Sequence, residues 1–270
     1  MQLRKQLNRV PGYEVANHRI DRWWWLVLAV VGIVTALACI QPDPYWRIIR
    51  FVADGIVVTV GVTISAFLLT LVVGLFAALG RLSKNNLFRT ITTIYVEVAR
   101  GIPLLVQLLF WYFAFPSIIH SIGRLIHFEP FENYLANAYL MAILGLAFCY
   151  AAYMSEIYRA GIQSIPKGQN EAARSLGMSK SQAMRYIILP QAIKTILPPV
   201  GNEFISLLKD SSLVSVVAVA DMTRRGREFM AAYFIPVETW MMIALLYLVM
   251  TLIATRVVSW IERKTQTEER

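Results

Sequence analysis

The amino-acid sequence predicts an all-α integral membrane protein with six transmembrane helices. Of its 270 residues, 57% are hydrophobic and only 16% are charged. Ordinary globular chains are about 45–50% apolar and about 25% charged, so this chain has too little charge to cover a water-exposed surface. Several apolar stretches approach the roughly 20 residues that a helix needs to cross a bilayer. The surplus apolar surface is therefore expected to face lipid.

Five apolar stretches carry no charged residue except at their ends: 23–40, 55–80, 101–119, 133–155 and 239–255. A sixth stretch, 186–208, carries Lys194, Glu203 and the pair Pro198-Pro199. Proline removes a backbone donor and breaks a helix. At membrane depth such a break is tolerated where it packs within protein or lines a wet cavity. We therefore expect 186–220 to form one interrupted span.

The first stretch has two interpretations. Basic residues precede it, as in a secretory signal peptide. However, no small-residue cleavage site is evident before Gln41-Pro42, and Trp23-Trp24-Trp25 is typical of an aromatic anchor at the membrane interface. The sequence favours a retained span.

The basic residues predict the orientation. With the N-terminus in the cytoplasm, the inner segments hold 16 Lys and Arg residues and the outer segments hold 6. This excess follows the positive-inside rule and predicts that both termini are cytoplasmic. It also explains the net charge of +9 without a nucleic-acid partner. The predicted units are 1–50, a cytoplasmic tail and an additional transmembrane helix; 51–262, a compact unit; and 263–270, a cytoplasmic tail.

The residues that usually carry catalysis or metal binding are sparse. Cys39 and Cys149 both lie inside apolar runs, and the three histidines are scattered. The chain also has no G-x-x-x-x-G-K-[ST] phosphate loop. The sequence therefore predicts a protein that is not itself an enzyme and that holds no metal or cofactor.

A polar segment between two spans predicts two short helices joined by a glycine turn. Pro166 and Gly177 bracket the first helix, and Gly177 suits the left-handed position that follows a helix end. Ser179 or Ser181 can cap the second helix, which leads into the next span. Ala172, Ala173 and Leu176 are expected to form an apolar knob that fits a groove in another protein. An amphipathic helix resting on lipid headgroups is the alternative.

The same segment carries a family resemblance. Glu171-Ala172-Ala173, three residues, Gly177, nine residues and then Ile187-Ile188-Leu189-Pro190 resembles the complete EAA motif of ABC importer permeases. The resemblance implies a coupling helix, with Glu171, Ala172, Ala173, Leu176 and Gly177 docking onto a separate ATP-binding cassette ATPase subunit. ATP and Mg²⁺ would then be bound by that partner.

Two further stretches narrow the resemblance. They are ARGIPLLVQ at 99–107 and GNEFISLLKDSSLVS at 201–215. Both are similar to hallmarks of the histidine/glutamate/glutamine/arginine branch of type I ABC importers, and the resemblance covers about 51–262. It implies a five-helix permease core in a bacterial inner membrane, to which 23–40 adds a helix. It also implies a second permease copy or a homologous permease, an extracytoplasmic substrate-binding protein and a polar amino-acid substrate.

The sixth stretch also predicts the substrate pathway. Glu203 and Asp210 are seven residues apart and share one helical face, with Ser206 between them. Asn202 and Lys209 repeat that spacing one step around the helix. Carboxylates suit an ammonium group, and Lys or Asn donors suit a carboxylate, so the stripe fits a zwitterion.

Structural roles for these charges stay open. Lys209 could simply lie at the outer membrane edge, and Glu203 could pair with Lys194 or Arg100 to hold the bundle together. Glu97 with Arg100, and Glu156 with Arg159, are each three residues apart and are interpreted mainly as ion pairs. Gln107 lies deeper than Arg100 and is the better pathway candidate.

An ion-coupled secondary transporter is the alternative function. A broken helix at 186–208 would fit such a carrier. We find no paired half-repeat, however, and a carrier would leave the segment 165–177 unexplained. A membrane enzyme has little support without a cluster of His, Asp and Glu. On the outer side, 221–228 carries charges that could help to dock a binding protein, and a solvated loop explains them equally well.

Overall fold

The computed structural model describes residues 22–266, and within this range the chain is helical without β-strands. The helices are α1 (Arg22–Ile40), α2 (Pro42–Arg81), α3 (Asn86–Gly101), α4 (Leu104–Leu109), α5 (Phe115–Ile126), α6 (Glu129–Glu132), α7 (Ala138–Gln163), α8 (Lys167–Ser175), α9 (Lys180–Ala183), α10 (Leu189–Asp210), α11 (Met222–Tyr233) and α12 (Pro236–Gln266). Phe110–Ala114 and Met184–Ile188 are π-helical, and Ser211–Val216 is a 3₁₀ turn. The all-α prediction is confirmed. The predicted tails lie mostly outside the described residues.

Four helices in the described part of the chain are long and apolar enough to cross a membrane. They are Pro42–Arg81, Leu104–Ile126, Ala138–Gln163 and Pro236–Thr265. They correspond to four of the five predicted uncharged stretches. The apolar part of α1, Trp24–Ile40, is shorter. The count of six spans, which also requires α1 and α10, stays a prediction.

The predicted break at Pro198-Pro199 is wrong. Both prolines lie inside α10, which runs without interruption from Leu189 to Asp210. Each proline removes one backbone donor, but its fixed φ is close to the helical value, so the chain need not leave the helix. The α-helix ends at Asp210 instead, where the 3₁₀ turn begins.

Helix α3 was not predicted from the sequence. Asn85 caps its first turn, because its side-chain oxygen accepts a hydrogen bond of 2.9 Å from the backbone N–H of Leu87. The helix then packs back along α2. A Cβ at Gly80 would lie 2.3 Å from Thr92 Cγ2, so this close approach requires glycine.

Helix α7 forms the centre of the bundle against α2. Small residues on α7, including Gly145, Ala151 and Ala152, are buried. Lipid tails are as apolar as leucine, so helices in a membrane associate largely through the close packing that small residues allow. The main core cluster joins α2 and α7 to the segment that follows α10, through residues such as Val62, Leu146 and Val214.

The segment after the 3₁₀ turn is fixed by a buried polar network. Asp221 caps α11 and accepts a hydrogen bond of 2.9 Å from Arg224 N–H. Tyr247 O–H donates to the same carboxylate at 3.3 Å. Met222 N–H donates to Thr59 Oγ1 at 3.0 Å, which ties the start of α11 to α2. These contacts fix the chain just beyond Asp210.

Candidate functional site

A polar cavity of about 380 Å³ lies between the junction of α3 and α4, the middle of α7 and the end of α10. It is lined by residues from all three regions: Arg100, Gly101, Ile102, Pro103, Leu104, Cys149, Tyr150, Tyr153, Glu203 and Asp210. Ligand pockets commonly measure about 300–1,000 Å³, so the volume suits a small molecule.

Helix α10 supplies two of its five predicted pathway residues to this cavity. Glu203 and Asp210 line it together, as their spacing on one helical face predicts. Asn202 and Lys209 are exposed on another side of α10. Ser206 is half-buried, and none of these three residues lines the cavity.

Two tyrosines of α7 belong to the wall, and neither was predicted from the sequence. Tyr150 O–H donates a hydrogen bond of 2.7 Å to Asp210 Oδ2 and thereby orients that carboxylate. Tyr153 lies one turn further along α7, with the Arg100 guanidinium 5.2 Å from the centre of its ring. Both tyrosines lie in an apolar run of the sequence, so no local pattern distinguishes them from lipid-facing residues.

The structure also changes the expected roles of three polar residues near α4. Among the described residues, no ion pair joins Glu97 to Arg100, so that predicted pair is wrong. Gln107 is 5% exposed and does not line the cavity. Its Nε2 donates hydrogen bonds to the carbonyls of Ala99 at 2.7 Å and Ile102 at 2.8 Å. Gln107 therefore holds the α3–α4 junction in shape from behind the wall.

The charges around the cavity suit a zwitterion. Glu203 and Asp210 can hold an ammonium group, and the Arg100 guanidinium can bind a carboxylate with two parallel hydrogen bonds. The tyrosine rings supply apolar walls with a polar edge. In residues 22–266 no group of three or more His, Cys, Asp or Glu side chains is arranged to hold a metal ion.

A second candidate site is α8 with the turn that follows it. Gly177 has a φ of +82°, in the left-handed region that the sequence predicted for it. Met178 N–H donates to the Ala173 carbonyl at 3.1 Å, and Gly177 N–H donates to the Arg174 carbonyl at 3.0 Å. These two bonds form a Schellman motif that ends α8. Ser179 then caps α9 through a reciprocal capping box with Gln182.

The exposed face of α8 differs from the predicted knob. Ala173 is only 3% exposed and packs inward, because α8 lies against the π-helical turn Met184–Ile188. Glu171 and Ala172 are exposed, and Leu176 is 80% exposed. The knob therefore consists of Ala172 and Leu176, which are one helical turn apart, and Ala173 is corrected to an inward contact.

An ion network joins the two spans α2 and α7. Glu156 pairs with Arg159 on the same helix, which confirms that prediction. Glu156 also pairs with Arg81 at the end of α2, a contact that sequence spacing could not show. The network ties the end of α2 to the C-terminal part of α7.

The comparisons with known proteins all indicate the same family. Residues 70–267 match the sequence model of the binding-protein-dependent transport system inner membrane component. The glutamine transport system permease protein GlnP of Escherichia coli is 33% identical over 219 residues, which cover 81% of this chain and 94% of that protein. The arginine transport system permease protein ArgU of Corynebacterium glutamicum is 38% identical over 238 residues, which cover 84% of this chain and 75% of that protein.

Solved structures agree. A crystal structure of an amino acid ABC transporter with histidines matches with a TM-score of 0.70 at 40% identity, covering 80% of this chain and 94% of that one. The inward-facing MetNI methionine ABC transporter matches with a TM-score of 0.58 at 19% identity, and the match covers 82% of this chain and 96% of that one. At this identity the likeness shows the fold alone. The chain therefore belongs to the family of binding-protein-dependent transport system inner membrane components.

Proposed function

We propose that this chain is the membrane-spanning permease subunit of an ATP-driven importer for a polar amino acid delivered by an extracytoplasmic binding protein. The observation that carries the proposal is the cavity in which Glu203 and Asp210 lie together with Arg100. An amino-acid backbone has an ammonium and a carboxylate, and these three side chains complement both. The relatives named for glutamine and arginine transport support this substrate class.

The proposed partners follow from α8. Its exposed face docks onto a separate ATP-binding cassette subunit, which binds ATP and Mg²⁺, whereas this chain binds neither. A second copy of this chain, or a homologous permease, completes the pathway. The chain then crosses the inner membrane several times, with both termini and α8 on the cytoplasmic side. The excess of basic residues on that side supports this orientation.

The two sites are connected by one nearly continuous helical rod. α9, the π-helical turn and α10 follow one another from Lys180 to Asp210 without a loop. At about 1.5 Å per residue the rod is about 45 Å long. A displacement of α8 by the ATPase is therefore transmitted along α10 to Glu203 and Asp210. Such a movement opens the cavity to one side of the membrane and closes it to the other.

The end of the molecule opposite α8 provides the docking surface for the binding protein. Arg225 on α11 pairs with Asp54 of α2 and with Glu228. The Arg225 guanidinium lowers the pKa of Glu228, so this carboxylate stays ionised in the network. The resulting charged surface suits electrostatic recognition of a partner protein. Neither the family nor the relatives support the ion-coupled alternative.

The test is transport by the assembled complex in liposomes. The chain is expressed with the ATPase and binding protein encoded beside it, and uptake of labelled glutamine, arginine, histidine and glutamate is measured with and without ATP. Uptake of one of them that requires ATP and binding protein is expected. Uptake driven by a Na⁺ or H⁺ gradient without ATP would refute the proposal.

Glu203→Gln tests the cavity within the same assay. A hydrogen bond to a charged group contributes about 1.5–3 kcal/mol, so substrate affinity is expected to fall roughly 10- to 100-fold. Glu129→Gln is the matched control, because Glu129 is an exposed carboxylate on the short helix α6. Normal uptake by Glu203→Gln, with the ATPase still bound, would show that Glu203 does not contact the substrate.

A further inference from the structure

Helix α3 has three distinct faces along its length. Its buried face packs against α2 and α7 through Thr92, Val96 and Ala99. A second face is apolar and exposed, and it consists of Leu87, Ile91, Ile94 and Val98. The third face carries the remaining charged, asparagine and threonine side chains: Asn86, Arg89, Thr90, Thr93, Glu97 and Arg100. At 3.6 residues per turn this polar face occupies a sector of about 100°.

The C-terminal half of α3 packs against the middle of the spanning helix α7. Val96 and Ala99 form a cluster with Ala152 in the middle of the spanning helix α7. Tyr95 O–H donates to the Phe148 carbonyl of that helix at 2.7 Å. Glu97 is exposed beside these contacts, and among the described residues it has no ion-pair partner. A charge that faced lipid there would cost at least about 2.5–3.5 kcal/mol.

The polar face ends in the substrate cavity. Arg100 belongs both to this face and to the cavity wall. Gln107 bridges the Ala99 and Ile102 carbonyls, so α3 and the wall formed by the α3–α4 junction are held as one unit. From Arg100 the face runs through Glu97 and Thr93 to Asn86, a distance of about 21 Å at 1.5 Å per residue. The start of α3 lies next to the end of α2, on the same side as α8.

We infer that this face of α3 lines the route by which substrate leaves the cavity toward the cytoplasm. The face is wet, which removes the cost of an unpaired Glu97. Arg100 and Glu97 then offer opposite charges one turn apart. Arg100 can bind the carboxylate of the departing amino acid, and Glu97 can bind its ammonium group. The inference rests on the proposed function, since that function makes the cavity the starting point of the route.

Cysteine accessibility tests the inference. Cys39→Ser and Cys149→Ala first remove the native thiols. Thr93→Cys and Glu97→Cys place thiols on the polar face, and Ile94→Cys and Val98→Cys place matched thiols on the adjacent apolar face. Each variant is assembled with its ATPase in liposomes and treated with a charged thiol reagent.

The polar-face thiols are expected to react at least about tenfold faster than the apolar-face thiols, because thiolate forms in water and is suppressed in apolar surroundings. Equal labelling at all four positions would place α3 outside the bilayer and overturn the inference. Protection of Thr93→Cys and Glu97→Cys, with oxidative cross-linking to the second permease, would make the face a subunit contact and also overturn it.

ATP-driven uptake is measured separately with the unsubstituted chain, because Cys149 lines the cavity. If that uptake is present and the polar face is not labelled, the exit route fails while the proposed function stands. If the polar face is labelled but no ATP-driven uptake occurs, the proposed function fails instead.

Discussion

Gly177 offers a direct test of the proposed coupling segment, because the expected role of Gly177 depends on backbone conformation alone. Its φ is +82°, and nothing lies within 4 Å of a Cβ built on it. A substitution there meets no neighbouring atom, so its cost is the strain of an L-residue in the left-handed region. That strain is about 1–2 kcal/mol for an ordinary residue and larger for a β-branched one. Asparagine tolerates this region better than alanine does.

The structure sets the scale of the expected effect. The two backbone hydrogen bonds of the Schellman turn contribute about 0.5–1.5 kcal/mol each, which is comparable with the strain of alanine. Gly177→Ala therefore leaves the turn near balance between its folded and unfolded forms. The apparent Kd for the ATPase is expected to rise by about 2- to 10-fold, since only the folded fraction docks. Gly177→Asn should bind more tightly than Gly177→Ala, and Gly177→Val more weakly.

The assay is the affinity of the purified chain, in lipid nanodiscs, for its ATPase. Gly61→Ala is the control, because Gly61 also has open space around its Cβ position but lies within α2. If Asn and Val at position 177 weakened docking equally, the handedness argument would be wrong. If none of the three substitutions changed the Kd, the turn would not belong to the docking surface at all.

Two further substitutions test the contacts on either side of the 3₁₀ turn. Tyr150→Phe removes the hydrogen bond to Asp210 and is expected to lower substrate affinity roughly tenfold without changing ATPase docking, as measured by uptake and copurification. An unchanged uptake KM would show that Asp210 needs no orientation. Asp221→Ala removes the cap of α11 and leaves buried donors unpaired, so it should destabilise the chain by at least about 2 kcal/mol. Thermal unfolding in detergent measures this, and a Tm equal to that of the unsubstituted chain would contradict the buried network.

Local features of the molecule could be predicted from the sequence, and features that depend on distant contacts could not. Of the apolar stretches, four correspond to helices of membrane-spanning length, and Gly177 followed by Ser179 or Ser181 predicted the turn after α8. Each of these depends on residues within one or two helical turns. Tyr150 is different, because its role depends on Asp210, which lies 60 residues away in the chain.

The polar residues of α3 show a second limit of local reasoning. A spacing of three residues is compatible with an ion pair between Glu97 and Arg100, and the sequence alone favours that simple pairing. The structure directs Arg100 to the Tyr153 ring and into the cavity wall. Which partner an arginine takes is decided by the neighbouring helix, and the packing of α3 on α7 could not be predicted from spacing within α3.

The error at Pro198-Pro199 matters most for the mechanism. A break there would have made a hinge between the coupling segment and the carboxylates of the cavity, so that movement of α8 was absorbed before it reached them. The continuous α10 places the end of the rod at Asp210 instead. The 3₁₀ turn begins there, and Asp221 and Thr59 fix the chain beyond it. In the proposed mechanism, movement of the rod is therefore concentrated at Asp210, whose carboxylate accepts the hydrogen bond from Tyr150.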